Sequence, residues 1–173
     1  MDISVVIPIY GCRAALEELH RRLTDTLVAM DKEYEIILVN DNCPQNSWEV
    51  IQQLCKKDKH VVGIELSRNF GQIQAITAGL DYSKGDWVVV MDCDLQHPPE
   101  TIVEMYRLWQ QGYEVVEGVK RTRGKENVFH KLSAGLFYKL ISKAVKIDMS
   151  RASDFKLMDR RAVEALLAMP ERN

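Results

Sequence analysis

Val88-Val89-Val90-Met91-Asp92-Cys93-Asp94-Leu95-Gln96-His97-Pro98-Pro99-Glu100 is an apolar, β-branched run that ends in two carboxylates and passes into a Pro-Pro-Glu helix start. Such a run reads as a buried strand that stops where the charge begins. Side chains at i and i+2 of an extended chain point the same way. Asp92 and Asp94 therefore project together beyond the strand if the backbone stays extended past Met91. Two carboxylates in a partly dry crevice repel each other unless a cation lies beside them. Hard oxygen donors suit Mg²⁺ or Mn²⁺, which share their coordination with a substrate's phosphates. The plainer alternative is a polar strand-to-helix turn in which Asp94 acts as a cap. Asp-x-Asp alone does not separate the two.

Working outward, apolar runs alternate with helical patterns. Strands are expected at residues 3–8, 34–39, 61–66, 87–91 and 114–119. Leu16, Leu19, Leu23, Leu27 and Met30 recur at helical spacing. Asn46 or Ser47 can cap a helix carrying Val50, Ile51 and Leu54. Further helices are expected at 73–80 and 98–111. Alternating units of this length predict an α/β fold, a mostly parallel sheet with helices on both faces. Such sheets bind ligands beyond the carboxyl ends of their strands. The turns at 10–12, 40–44, 67–71 and 92–96 all fall there.

The 173 residues suit one domain with a real core, and 46% hydrophobic with 28% charged residues is ordinary for a globular chain. A formal net charge of −2 gives no global case for nucleic acid as a partner. No apolar run approaches the roughly 20 residues that span a bilayer, and Met1-Asp2 leads straight into a strand without a secretory apolar segment. The four cysteines, Cys12, Cys43, Cys55 and Cys93, include no Cys-x-x-Cys pair. That spacing argues against a zinc site or a disulfide framework, and for a reducing cytoplasmic setting. Cys12, Cys43 and Cys93 nevertheless follow the first, second and fourth strands, which gathers them near one crevice. Cys55 falls within a helix as a small core residue.

Residues 120–146 hold eight Lys or Arg against the single acid Glu126. Phe129, Leu132, Leu136, Phe137, Leu140, Ile141 and Ala144 keep helical spacing inside that segment. Two readings stand: a basic amphipathic helix on an anionic membrane surface, or a core helix with a solvated face. Arg121 and Arg123 follow directly on a strand's carboxyl end, which favours function for that pair.

Taken together, Val5-Val6-Ile7-Pro8-Ile9-Tyr10, Leu66-Ser67-Arg68-Asn69-Phe70-Gly71-Gln72, the Asp92–Glu100 stretch and Ser153-Asp154-Phe155-Lys156-Leu157-Met158-Asp159-Arg160-Arg161 resemble one family. The chain looks like a family 2 glycosyltransferase of the GT-A fold, in particular a polyprenyl-phosphate sugar transferase of the dolichol-phosphate mannose synthase type. The resemblance runs through almost the whole chain. It implies a single GT-A catalytic domain over residues 1–173, cut before an acceptor-binding segment and C-terminal transmembrane helices. The implied activity is metal-dependent, inverting sugar transfer from a UDP- or GDP-linked sugar to a lipid-phosphate acceptor, in cell-envelope polysaccharide synthesis. The implied location is the cytoplasmic face of a membrane, the fragment itself being soluble.

Residue by residue, the resemblance gives Asp92, Asp94 and Gln96 to a divalent metal on the sugar nucleotide's diphosphate. Pro8, Tyr10, Asp41, Arg68, Asn69, Gln72 and Asp92 fall to the nucleotide, Arg121 and Arg123 to phosphates, and Asp154 to the acceptor as general base. A helix cap or an ion pair with Arg160 is the structural alternative for Asp154. The chain departs from the pattern in two loops. The family commonly has Asn-Glu after the first-loop Tyr, where Gly11-Cys12 stand. It often has Asp-Asp-Gly-Ser after the second strand, where Asn40-Asp41-Asn42-Cys43-Pro44 stand.

The chemistry is coherent. The anomeric carbon gains oxocarbenium character as its bond to the diphosphate breaks, and cationic groups stabilise the departing charge. An anionic phosphate acceptor needs a base less than a saccharide hydroxyl does. Transfer to such a hydroxyl and a non-catalytic nucleotide-sugar-binding module are the alternatives. A haloacid-type phosphatase carries Asp-x-Asp on its first strand, not its fourth. A dinucleotide-binding oxidoreductase needs Gly-x-Gly-x-x-Gly, which Tyr10-Gly11-Cys12 does not supply.

Overall fold

The structure, a computed structural model, describes residues 1–118, 131–132 and 155–169. Four buried runs form the parallel half of one sheet: β1 (Ile3–Ile9), β2 (Tyr34–Asn40), β3 (Val61–Glu65) and β4 (Trp87–Val90). β5 (Val115–Glu117), β6 (Lys131–Leu132) and β7 (Lys156–Asp159) complete a seven-stranded sheet in the order β3-β2-β1-β4-β7-β5-β6. β7 lies antiparallel between β4 and β5, and β6 is antiparallel to β5.

Alternation along the strands divides the core in two. Ile3, Val5, Ile7 and Ile9 of β1, with Ile36 and Leu38 of β2, face α1 (Leu16–Ala29), α2 (Ser47–Lys57) and α4 (Ile102–Gln110). Val6, Ile37, Val39, Val88 and Val90 face the other way, toward α3 (Gln72–Tyr82) and α5 (Arg160–Leu167). Each fully buried Leu, Ile or Val contributes about 1.5–3 kcal/mol relative to exposure. The two-faced core explains why the strands read as continuous apolar runs and not as alternating ones. α3 approaches the sheet closely because Gly79 lacks a Cβ: one there would overlap Val6 Cγ1 and come within 3.1 Å of Val39 Cγ2.

Three local expectations change. Residues 98–111 open as a 3₁₀ turn, Pro99–Thr101, before α4 begins. Asn46 occupies the cap position of α2 in a left-handed conformation, yet its side chain makes no cap bond; its Nδ2 donates to Glu49 Oε2 at 3.3 Å instead. Lys131 and Leu132, expected in a helix, pair with Val115 and Val116 as a strand. The remainder of that basic amphipathic segment lies outside the described residues.

β7 is the element that the alternating pattern did not announce. It is seated by α5, whose N-cap Asp159 accepts from Arg161 N, and by Trp109, whose Nε1 donates to Asp159 Oδ2 at 3.2 Å. Arg160 then ties the start of α5 to the α3–β4 loop, donating from Nε to Gly85 O at 2.9 Å. No described helix is long and apolar enough to cross a membrane.

Candidate active site

Strand order reverses between β1 and β4, so the chain leaves these two neighbours in opposite directions. Their pairing ends at Val6 with Val90, followed by one bond from Met91 N to Val6 O at 3.1 Å. Beyond it β1 continues to Ile9 while the chain after β4 turns away, and a crevice opens at the switch point. A cavity of about 320 Å³ occupies it.

The β1 loop supplies Pro8, Tyr10 and Cys12 to the wall. Tyr10 is 57% exposed, at the mouth. From the other elements come Asp41 after β2, Asn69 and Gln72 before and within α3, and Asp92, Cys93 and Asp94 after β4. Of the residues expected at the site, these line one cavity. Arg68 and Gln96 are not in its wall; Arg68 lies over the Phe70 ring, its Cζ 4.7 Å from the centroid. Arg121, Arg123 and Asp154 lie outside the described residues.

The geometry shows what the buried members do. Asp41 is 3% exposed, and its two carboxylate oxygens accept from Phe70 N at 2.7 Å and Gly71 N at 2.9 Å. The carboxylate expected against the nucleoside thus clamps the β3–α3 loop to the end of β2. Gly71 follows at φ +99, a conformation that favours glycine, and delivers Gln72 to the start of α3. Gln72 Nε2 donates to Asp92 Oδ1 at 3.0 Å. Asp94 Oδ1 accepts from Gln96 N at 3.0 Å. The polar-turn reading is realised here alongside the shared wall of the two carboxylates, since the chain bends at Asp94 and Leu95 sits at φ 61. A left-handed leucine costs about 1–2 kcal/mol, and the loop around it holds both carboxylates at the cavity.

Supports outside the cavity fix this loop from behind. The His97 ring, 8% exposed, lies 5.1 Å from that of Phe155, the residue after Asp154. Arg22 of α1 holds Glu100 in a two-pronged pair, with Nε to Oε1 at 2.9 Å. The Arg22 guanidinium, against a smaller effect of burial, keeps the Glu100 carboxyl below the usual carboxylate range.

Two oxygen-donor side chains on one wall are a partial cation set. No group of three or more His, Cys, Asp and Glu converges among the described residues. That donor chemistry fits Mg²⁺ or Mn²⁺ completed by phosphate oxygens and water, and not an all-protein cage.

The expectation against a disulfide is overturned. Cys12 and Cys93 are bonded, with Cα atoms 6.1 Å apart across 81 residues. Gathering the cysteines at one end of the sheet was the signal; the wide spacing hid the pairing because β1 and β4 are neighbours only in space. Cys43, buried beside them, accepts from Gly11 N at 3.2 Å and Ser47 Oγ at 3.1 Å. Burial pushes its thiol up, but the bonds from Ser47 and the Gly11 backbone outweigh this and leave it below the ordinary thiol range. The two loops that depart from the resemblance, at Gly11-Cys12 and Asn42-Cys43, therefore touch each other.

The pattern of "Glycosyl transferase family 2" matches residues 4–167. The chain belongs to that family. It is 40% identical, over all of its length and 54% of the relative's, to an uncharacterized glycosyltransferase of Bacillus subtilis. It is 35% identical, over 99% of its length and 52% of the relative's, to an undecaprenyl-phosphate 4-deoxy-4-formamido-L-arabinose transferase of Shewanella sediminis. The chain thus spans about half the length of the curated relatives it matches. Among solved structures, a Pyrobaculum calidifontis mannosyltransferase in complex with GDP-Man and Mn²⁺ superposes with TM-score 0.68 at 18% identity, covering 97% of this chain and 47% of that one. Staphylococcus aureus TarS in complex with UDP-GlcNAc gives 0.62 at 16%, covering 96% and 47%. The fold is GT-A.

Proposed function

We propose that this chain is the donor-binding half of a divalent-metal-dependent, inverting glycosyltransferase that moves a sugar from a nucleoside diphosphate to a polyprenyl phosphate. The observation that carries the reading is the cavity at the β1/β4 switch point with Asp92 and Asp94 on one wall. Tyr10 and Pro8, which line the same cavity, are the candidates to meet a nucleobase. Asp41 acts on the nucleotide through the loop it clamps, presenting Asn69 and Gln72 to the cavity. Gln72 in turn orients the Asp92 carboxylate.

Asp92 and Asp94 would hold the cation, which when bound would neutralise charge on the departing diphosphate. Arg121 and Arg123 are the candidates to take phosphate charge, and Asp154 to serve the acceptor. A phosphate acceptor is anionic already, so positioning it outweighs deprotonating it. The likeness to an undecaprenyl-phosphate sugar transferase supports this acceptor class, and the GDP-Man and UDP-GlcNAc complexes of the structural neighbours support a nucleotide-sugar donor. Isothermal titration with UDP- and GDP-sugars, with and without Mn²⁺, tests the reading. Binding of one nucleotide class that requires Mn²⁺ is expected. Absence of binding to both classes at millimolar ligand would remove it.

A further inference from the structure

We propose that Cys12 and Cys93 form a thiol–disulfide exchange site that sets how tightly the switch-point cavity holds its ligand, with a dithiol as co-reactant. The proposal rests on the nucleotide-sugar reading of that cavity. The two cysteines stand on opposite lips of the gap where β1 and β4 part, both line the cavity, and their Cα separation of 6.1 Å lies within the usual range for a disulfide. No other covalent link spans the gap among the described residues.

Position gives the bond its consequence. Cys93 lies between Asp92 and Asp94, so cross-linking it fixes the main chain that carries both carboxylates. Cys12 lies two residues after Tyr10, so the same bond fixes the opposite wall. Cys93 is 7% exposed and packs into the core beneath the sheet's carboxyl end. The bond is therefore part of the cavity lining. In the oxidised chain the two walls are held at a set spacing before any ligand arrives; in the reduced chain that ordering must be supplied on binding. The oxidised form is the tighter binder.

Cys12, the less buried of the two, is the sulfur that a reductant in the cavity reaches. A thiolate of the dithiol attacks Cys12 Sγ, forms a mixed disulfide there and expels the Cys93 thiolate. The reagent's second thiol then attacks the reagent sulfur of the mixed disulfide, releases the Cys12 thiolate and leaves as a cyclic disulfide. Two electrons pass from the dithiol to the protein, and its two protons end on the protein thiols. Exchange of this kind is how a disulfide in a reducing compartment acts as a sensor and not as a permanent staple. Linkage makes the effect mutual: whatever factor separates the affinities of the two forms, bound ligand shifts the thiol–disulfide equilibrium toward the bond by the same factor.

The test equilibrates the chain in ratios of oxidised to reduced dithiothreitol, blocks free thiols, and maps all four cysteines by peptide mass spectrometry. UDP and GDP with Mn²⁺ are then titrated into each state, for the parent and for Cys12→Ser and Cys93→Ser. The oxidised parent is expected to carry the Cys12–Cys93 bond and to bind roughly tenfold tighter than the reduced parent. A tenfold factor corresponds to a midpoint about 30 mV more reducing with nucleotide present. Both serine variants should match the reduced parent and ignore the redox buffer. Free Cys12 and Cys93 in excess oxidant, a different dominant pairing with Cys43, or equal affinity in both states would overturn the proposal. So would redox sensitivity that persists in the serine variants. No nucleotide binding in either state overturns the nucleotide reading, while the thiol map still reports separately on the exchange site.

Discussion

The two ends of the parallel strands use polar residues in opposite ways. At the amino ends, Ser4 is fully buried and Glu35 is 5% exposed. Ser4 Oγ donates to Glu35 Oε1 at 2.6 Å, and Lys84 N donates to the same oxygen at 2.8 Å. Gly85 N donates to Ser4 Oγ at 2.8 Å. Nearby, His20 Nε2 and His60 Nδ1 each meet one oxygen of Asp58 at 2.8 Å. All of these but the local His60–Asp58 contact tie one stretch of the chain to another. At the carboxyl ends Asp92 and Asp94 instead line a 320 Å³ cavity, while the buried Asn40 and Asp41 accept from loop amides. Buried polar groups need partners; at the amino end these all lie within the chain, whereas Asp92 and Asp94, each also bonded to the chain, stand on a cavity wall. On the proposed reading, that difference separates stability from function within one sheet.

The sharpest way to break that contrast is Asp94→Asn. The carboxylate is exposed, so the fold should hold, with an unchanged thermal midpoint. Mn²⁺-dependent nucleotide binding should fall by at least roughly 100-fold, beyond what outer-shell changes typically cost. Titration calorimetry beside a melting curve checks both halves. Retained affinity at equal Mn²⁺ would take the cation away from this wall.

The converse substitution lies at the other end. Glu35→Leu strands the fully buried Ser4 hydroxyl away from water and leaves the Lys84 N–H only its longer bond to Ser4 Oγ at 3.2 Å. Leaving a buried donor unpaired should destabilise the chain by about 2–3 kcal/mol in urea unfolding, with nucleotide affinity of the folded fraction unchanged. An affinity loss matching that of the cavity variants would mean that the two ends are not separable.

Sequence range decides how much of this is legible from the residues alone. β1, β2 and β4 announce themselves because both faces are buried and the runs are uninterrupted, and that places Asp92 and Asp94 at a carboxyl end. β7 stays hidden: four residues, Lys156–Asp159, insert between β4 and β5 from far along the chain, and no local period reports such pairing. The Cys12–Cys93 bond stays hidden for the same reason. Asp41 and Gln72 line the expected crevice, yet their bonds run to loop amides and to Asp92, since residue type shows that a group is polar and not whether the chain itself will satisfy it. Leu95 at positive φ has no sequence signal, leucine being an unusual choice there.

Gln72 tests how the receiving end is held in shape. Gln72→Leu keeps volume on α3 and removes the bond to Asp92. The Mn²⁺ concentration for half-maximal nucleotide binding should rise roughly tenfold, as for other groups that orient a metal ligand. Nucleotide affinity at saturating Mn²⁺ should change much less. A purely structural role would move both together.

The smallest expected effect tests the closed end by pH. Burial pushes the Asp58 carboxyl up, but the His60 backbone N–H and the His20 and His60 side chains outweigh it, and its pKa lies below the ordinary value of 3.8. A carboxylate whose folded pKa is depressed stabilises the chain fully above the unfolded value and loses that contribution as pH falls through the folded one. Asp58→Asn should therefore be less stable than the parent by about 1 kcal/mol at pH 7. The gap should hold down to about pH 5 and close progressively as acid protonates Asp58 in the parent. Urea midpoints at pH 7, 5, 4 and 3 measure it. A gap that stays constant to pH 3 would mean that Asp58 acts through shape alone. A gap that widens would reverse the sign of the linkage and make the amino end, too, a place where charge is held at a disadvantage.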